Sequence, residues 1–310
     1  MNLLTLRENV FYIKGFVNIG VITNSEGEAI LIDAGHDENM ARRLKSVLDE
    51  KGLTIKGIII THAHADHYGG ACYLSGNSGA RIYSGEIEKG VIDNPILESL
   101  SMFGGAYPPA ELRRKYFNAP RVQVQGTVVP GETEIEGFPL EIVDLSGHTI
   151  GQIGVAVGKV LFCADSIAAS DQLQKQGILK NANIEQSLQT YERLKSRKEL
   201  VFVPSHGSVY SDIQSLVDEN QALMSSILTI VLRLAHNPIG LEELLTRICE
   251  IQDVTIKNLS HYYVLHLSIM AYVGCLLDRD QLSVTFSGNR QLFQRRSEAE
   301  PEVFVQSPLL

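Results

Sequence analysis

The segment Thr61-His62-Ala63-His64-Ala65-Asp66-His67 places three imidazoles and one carboxylate within six positions. His62 and His64 are two apart, so an extended backbone turns both to one side, and Ala63 between them leaves room for a close approach. Asp66 and His67 lie past the bend and can serve a neighbouring position about 3.5–4 Å away, the spacing of two-metal centres. Crowding these groups at the end of a buried strand is costly without a cation. Neutral imidazole and carboxylate are ligands that zinc, iron and manganese accept. The remaining donors must come from other strand ends, and Gly147-His148-Thr149, Cys163-Ala164-Asp165 and Pro204-Ser205-His206-Gly207 each follow an expected strand. The other histidines, His36, His236, His261 and His266, read as surface or satisfied core residues.

The elements that must position these groups are legible as alternating strands and helices. Residues 9–33 are short runs of Val, Ile, Phe and Tyr separated by Lys14-Gly15 and Asn24-Ser25-Glu26-Gly27, a β-meander opening. Met40, Leu44 and Leu48 recur every four residues behind Asp37, predicting a capped amphipathic helix over 37–51. Ile58-Ile59-Ile60 reads as a buried strand running into the histidine cluster. Further strands are expected near 80–83, 121–125, 140–145, 152–157, 159–163 and 199–203. Between 84 and 120 the pattern weakens around Gly104, Gly105, Pro108 and Pro109. This aromatic-bearing insertion is expected to act as a lid, with Phe103, Tyr107 and Phe117 as candidate substrate contacts.

The motif His-x-His-x-Asp-His, the Gly-His-Thr, the aspartate after a strand and the later His-Gly follow one another in an order that resembles the metallo-β-lactamase superfamily. The resemblance covers about residues 9–210. It implies a four-layer αββα sandwich with two metal ions at one edge of the two sheets. It implies further that His62, His64 and His148 hold the first metal, that Asp66, His67 and His206 hold the second, and that Asp165 bridges them. Asp33, in Leu31-Ile32-Asp33-Ala34-Gly35, matches the family's early aspartate and is expected behind the ligands rather than among them. Ser205 stands where many hydrolases of the family have Gly, and Cys163 lies two residues before the bridging position; neither change removes a ligand, though Ser205 can narrow the site near His206.

After Tyr210 the chain changes character. Helices are expected over about 211–236, 241–250 and 259–277, followed by a hairpin around Ser287-Gly288-Asn289. Helix, helix, helix, hairpin is a winged-helix order. The expected division is therefore a catalytic domain over 1–210, a helical winged-helix-like domain over 211–294 and a polar tail over 295–310.

Composition narrows the functions. The 310 residues are 44% hydrophobic, enough for a substantial core, and the net charge is −9, which provides no global basic field for nucleic acid or anionic lipid. Residues 211–310 hold seven Lys plus Arg against twelve Asp plus Glu, and the third expected helix carries neither Lys nor Arg, so a groove-reading helix is disfavoured. Cys72, Cys163, Cys249 and Cys275 are widely spaced in apolar settings and are expected to be reduced core residues. The first residues lack a basic, then apolar, export pattern, and Ile58–Ile60 and 225–234 fall well short of the ~20 residues that cross a bilayer. A cytoplasmic protein with no membrane span is expected.

These readings converge on a dinuclear metal-dependent hydrolase in which a metal-bridging hydroxide attacks a small ester, thioester or related acyl compound, with Asp66 orienting the water or relaying a proton. A glyoxalase-II-like thioesterase falls in this class. Zinc ranks first as the metal, with iron or manganese as alternatives. The competing readings are an endoribonuclease or phosphodiesterase of the same superfamily, and a mononuclear iron sulfur-oxygenase or ligand sensor. The full second ligand set disfavours the mononuclear oxygenase, and the missing export pattern disfavours a secreted β-lactamase. The apolar C-terminal helices are compatible with a homodimer.

Overall fold

The computed structural model describes residues 1–296, so the expected tail from residue 297 onward lies outside the described residues. The chain opens with four antiparallel strands, β1 (Leu3–Arg7), β2 (Val10–Ile13), β3 (Ile19–Thr23) and β4 (Glu28–Ile32). Helix α1 (Glu38–Glu50) starts where Asp37 accepts the Met40 amide, an N-cap, and it buries Ala41, Leu44 and Leu48 on one stripe. Strand β5 (Thr54–Ile60) then pairs parallel to β4 and delivers the chain to the histidine cluster. The short α2 (Ala65–Tyr68) and α3 (Ala71–Ser78) follow, and β6 (Arg81–Ser84) adds parallel to β5.

The insertion folds into α4 (Glu86–Asp93) and α5 (Ile96–Met102) and a run of turns before β7 (Gly126–Thr127) closes this seven-stranded sheet. The strand expected at 121–125 is displaced for a specific reason. The Gln125 side-chain oxygen accepts the Ile82 amide at 2.6 Å while the Gln125 amide donates to Ile82 O at 2.9 Å. One residue thereby fills both partners on β6, and laddered pairing begins only at Gly126.

A second sheet is formed by β8 (Gly131–Ile135), β9 (Phe138–Asp144), β10 (Ile153–Val157), β11 (Val160–Ala164) and β12 (Val201–Pro204), in the order β12-β11-β10-β9-β8. Between β11 and β12 lie α6 (Ser170–Gln176) and α7 (Ile184–Ser196), the latter capped by Asn183. Period-two alternation sorts the strand residues between layers. Ile59, Ile30 and Ile32 face Phe138, Ile142, Val155 and Phe162 of the other sheet, whereas Ile58, Ile60 and Leu31 pack beneath α1 and α3. The outer face of the second sheet, through Val143, Leu161 and Cys163, packs on Tyr191 and Leu194 of α7. The result is the expected αββα arrangement.

Helices α8 (Gln214–Leu234), α9 (Leu241–Ile251) and α10 (Leu259–Asp278) follow, then the hairpin of β13 (Leu282–Ser287) and β14 (Arg290–Arg295). They extend the core beneath the second sheet instead of forming a separate one: Met224, Leu228, Ile269 and Tyr272 share a buried cluster with Tyr191 and Leu194. By length and composition α10 is apolar enough to cross a bilayer, although Ser, His and Tyr interrupt its apolar residues. Here it packs against α5, α7, α8 and α9. Of the cysteines, Cys163, Cys249 and Cys275 are buried as expected; Cys72 is exposed, because it follows the buried Ala71 on the outward side of α3.

The strand ends converge because glycines permit close approaches. A Cβ on Gly147, which has φ +134°, would lie 2.2 Å from Ser187 Oγ and 2.6 Å from Ser187 N. Gly147→Ala is therefore expected to push the His148 loop off α7 and destabilise the fold by roughly 1–3 kcal/mol, read as a lowered midpoint in thermal denaturation.

Candidate metal centre

All seven residues expected as metal ligands come together at one edge of the two sheets. One group consists of His62, His64, His148 and Asp165, the other of Asp66, His67 and His206, with the donor atoms of each group within 4.8 Å of one another. His62 Nε2 and His148 Nε2 each stand 2.9 Å from His64 Nδ1. Asp165 lies between the groups: Oδ2 is 3.5 Å from His148 Nε2 and 3.5 Å from His206 Nε2, and Oδ1 is 3.5 Å from His67 Nε2. Asp66 Oδ2 is 3.5 Å from His206 Nε2.

The opposite ring nitrogens explain this orientation. Buried Asp33 accepts the Thr61 amide at 2.8 Å and the Thr61 hydroxyl at 3.0 Å. The Thr61 hydroxyl has spent its proton, so at 3.1 Å it accepts from His62 Nδ1–H. His67 Nδ1–H donates to Asp33 at 2.7 Å, His148 Nδ1–H to Lys180 O at 2.8 Å and His206 Nδ1–H to Phe16 O at 2.7 Å. Each of these four rings, when neutral, is left with a bare Nε2 aimed inward. Asp33 thus stands behind the cluster, as expected, and supports two of its rings at once.

This arrangement fits divalent cations. Among the described residues, His67 Nε2 and Asp165 Oδ1 are buried without a hydrogen-bond partner. His64 Nδ1 also meets the Nε2 atoms of both His62 and His148, and a single Nδ1–H can be donated to only one of them in full. A cation of the class that accepts nitrogen and carboxylate oxygen relieves both problems. Outer partners on nearly every ring are the usual companions of such ligands.

The electrostatics divide the two groups. Burial, with the charges of neighbouring histidines and Lys180, holds His62 and His64 well below the usual imidazole range, and burial chiefly lowers His148 to about 4. These three are neutral and ready to ligate. Burial also opposes charge on His67 and His206, but Asp165 outweighs it, joined by Asp33 and Asp66 at His67 and by Asp66 at His206. His67 is raised well above the usual range and His206 to about 10. Burial works against the Asp165 charge too, yet His206 and His67 keep it ionised.

Several contributors lie outside the motif. Glu88 of α4 is 3% exposed; it accepts the Ala63 amide at 2.7 Å, the Thr149 hydroxyl at 2.8 Å and the Gly151 amide at 3.0 Å. It therefore ties the loop carrying His62 and His64 to the loop carrying His148. Its sequence signal is a carboxylate four residues before Ile92 on the buried stripe of α4. Lys180 and Glu98 face His64 from the other side. Of the candidate substrate contacts, Phe103 borders a groove of about 1070 Å³ between α5, α7 and α10. Phe117 is buried with Met102 and Leu112, and Tyr107 is 71% exposed beneath the Arg113 guanidinium. Buried Ser205 is fixed through its backbone to Asn18 and Ala164.

This sandwich with a histidine and aspartate cluster at its edge agrees with a match of residues 12–206 to the metallo-beta-lactamase superfamily. The chain belongs to that superfamily. It is similar to the hydroxyacylglutathione hydrolase GloC of Haemophilus influenzae, with 31% identity over 137 residues, covering 44% of this chain and 59% of that protein. It is 28% identical over 177 residues to the hydroxyacylglutathione hydrolase of Serratia proteamaculans, covering 57% of this chain and 55% of that one. The chain thus spans little more than half the length of these relatives. A metallo-beta-lactamase family protein from Thermus thermophilus superposes with a TM-score of 0.72 at 20% identity, covering 94% of this chain and all of that one. The shared fold therefore runs through the C-terminal helices.

Ligation requires bare imidazole nitrogens, and both His67 and His206 are protonated at neutral pH without a cation. Uptake at Asp66, His67 and His206 is expected to release about two protons at pH 7 and to tighten as pH rises toward 10. Because both are raised, their protons stabilise the metal-free fold below about pH 6.5; the His206 share is lost as pH climbs through about 10, and the His67 share as pH rises well above the usual imidazole range. Calorimetric titration of metal-free protein in buffers of different ionisation enthalpy measures the released protons.

Proposed function

We propose that this chain is a metal-dependent hydrolase acting on a thioester or a related small acyl compound, with zinc as the first-ranked metal and two cations per chain. The observation that carries the reading is the gathering of five inward-turned imidazoles about Asp165, with outer partners already in place. Divalent cations held there supply Lewis acidity toward a carbonyl oxygen and lower the pKa of water. The relatives' names favour a thioester, since hydroxyacylglutathione is an acyl ester of a thiol.

The chain's own groups divide the work. Asp66, at 31% the most exposed of the seven side chains, stands at the open side of the site beside His206. It is placed to orient an attacking water and to hand its proton toward the leaving sulfur. His62, His67, His148 and His206 remain fixed by their outer hydrogen bonds, so little reorganisation accompanies the change in substrate charge. The C-terminal region supports small-molecule chemistry over RNA, because α10 presents neither Lys nor Arg.

Zinc-loaded protein is expected to hydrolyse hydroxyacyl thioesters, to lose that activity on chelation and to regain it on zinc addition. Asp66→Asn is expected to lower kcat by about 10²–10⁴-fold with a smaller change in KM, and His64→Ala to abolish turnover along with one cation. A panel of thioesters, lactones, phosphodiesters and RNA, with metal content measured alongside, checks this; fully metallated protein inert on every acyl substrate overturns it.

A further inference from the structure

His64 differs from the other four histidines of the centre. Their outer nitrogens donate to a hydroxyl, a carboxylate or a carbonyl, each one a plain acceptor. His64 turns Nδ1 inward, so its outer nitrogen is Nε2, and this atom faces an ion pair. Lys180 Nζ lies 2.5 Å from it and Glu98 Oε1 3.7 Å from it, while the two charged groups are 3.1 Å apart. Both side chains are more than four-fifths buried, at 17% and 16% exposure.

The two neighbours require opposite tautomers. An ammonium only donates, so the contact with Lys180 needs a lone pair on Nε2 and hence the imidazole proton on Nδ1. That form of His64 offers no lone pair to a cation. When Nδ1 is a ligand the proton must sit on Nε2, where it faces an ammonium that cannot accept it and a carboxylate that can.

We infer that Glu98 is the positioning residue of His64: it accepts the Nε2–H bond when Nδ1 ligates, and Lys180 withdraws from the ring onto the same carboxylate. Lys180 and Glu98 then favour alternative tautomers, one closed to metal and one open. Glu98 lies on α5 of the insertion, and that helix is held on α10 by Met102, Leu112 and Phe117 packed on Tyr263, Val264 and Leu267. The insertion thereby supplies the outer partner of one ligand. This inference rests on the metal-centre reading proposed above.

The test separates hydrogen bonding from charge by working in a Lys180→Met background, where no cation is left unpaired. Glu98→Gln keeps an acceptor oxygen and loses the charge; Glu98→Leu loses both. Zinc competition against a chromophoric chelator is expected to show the Leu variant binding one cation about 10–100-fold more weakly than the Gln variant, with the other cation unaffected. Equal affinities overturn the inference. Long-range ¹H–¹⁵N imidazole spectra of zinc-loaded wild-type protein provide a second readout independent of variant folding. A hydrogen-bonded proton on His64 Nε2 is expected, and a ring protonated at Nδ1 or lacking that bond overturns the inference. Wild-type protein that takes up no zinc overturns the metal-centre reading instead.

Discussion

The centre depends on one buried carboxylate. Asp33 is 1% exposed and sits at φ +65°, a left-handed conformation uncommon for a residue with a side chain. Its oxygens take the Thr61 amide, the Thr61 hydroxyl and His67 Nδ1–H, so its charge is met by three donors instead of water. The same bonds fix the end of β5 against β4, polarise Thr61 toward His62 and orient His67. Without this carboxylate, the donors on Thr61 and His67 would lose their acceptor and the inward direction of two rings would no longer be specified.

The second sheet contributes by a different route. Ala164 adopts φ +53° at the end of β11, where the register against β12 shifts, and the turn brings Asp165 between the two clusters. His148 arrives on a loop that lies against α7 and is linked by Glu88 to the loop of the first sheet. The centre is therefore a joint between two sheets, held by hydrogen bonds to backbone groups as much as by the side chains that face inward.

Much of this was legible because it follows short-range rules. The run Ile58–Ile60 ends at a cluster of histidines, and His148, Asp165 and His206 each follow a short strand rich in apolar residues. Asp37 ahead of Met40, Leu44 and Leu48 specifies α1. What escaped is tertiary. Glu88, Glu98 and Lys180 belong to no short-range motif, since their partners lie 25, 34 and 116 residues away. Helix α7 escaped because Ser187 and Thr190 occupy its buried stripe and weaken the apolar period. Strands β1 and β8 escaped because β1 is only half covered and four of the five residues in β8 are exposed.

The carboxylate and ring that anchor the centre, Asp33 and His67, are separated by 34 residues and belong to adjoining parallel strands and their loops. During vectorial synthesis this lock can close while the ribosome is still adding the second sheet. Asp165 and His206 emerge only after another hundred residues, so the nascent chain carries a rigid half-socket whose remaining wall arrives later.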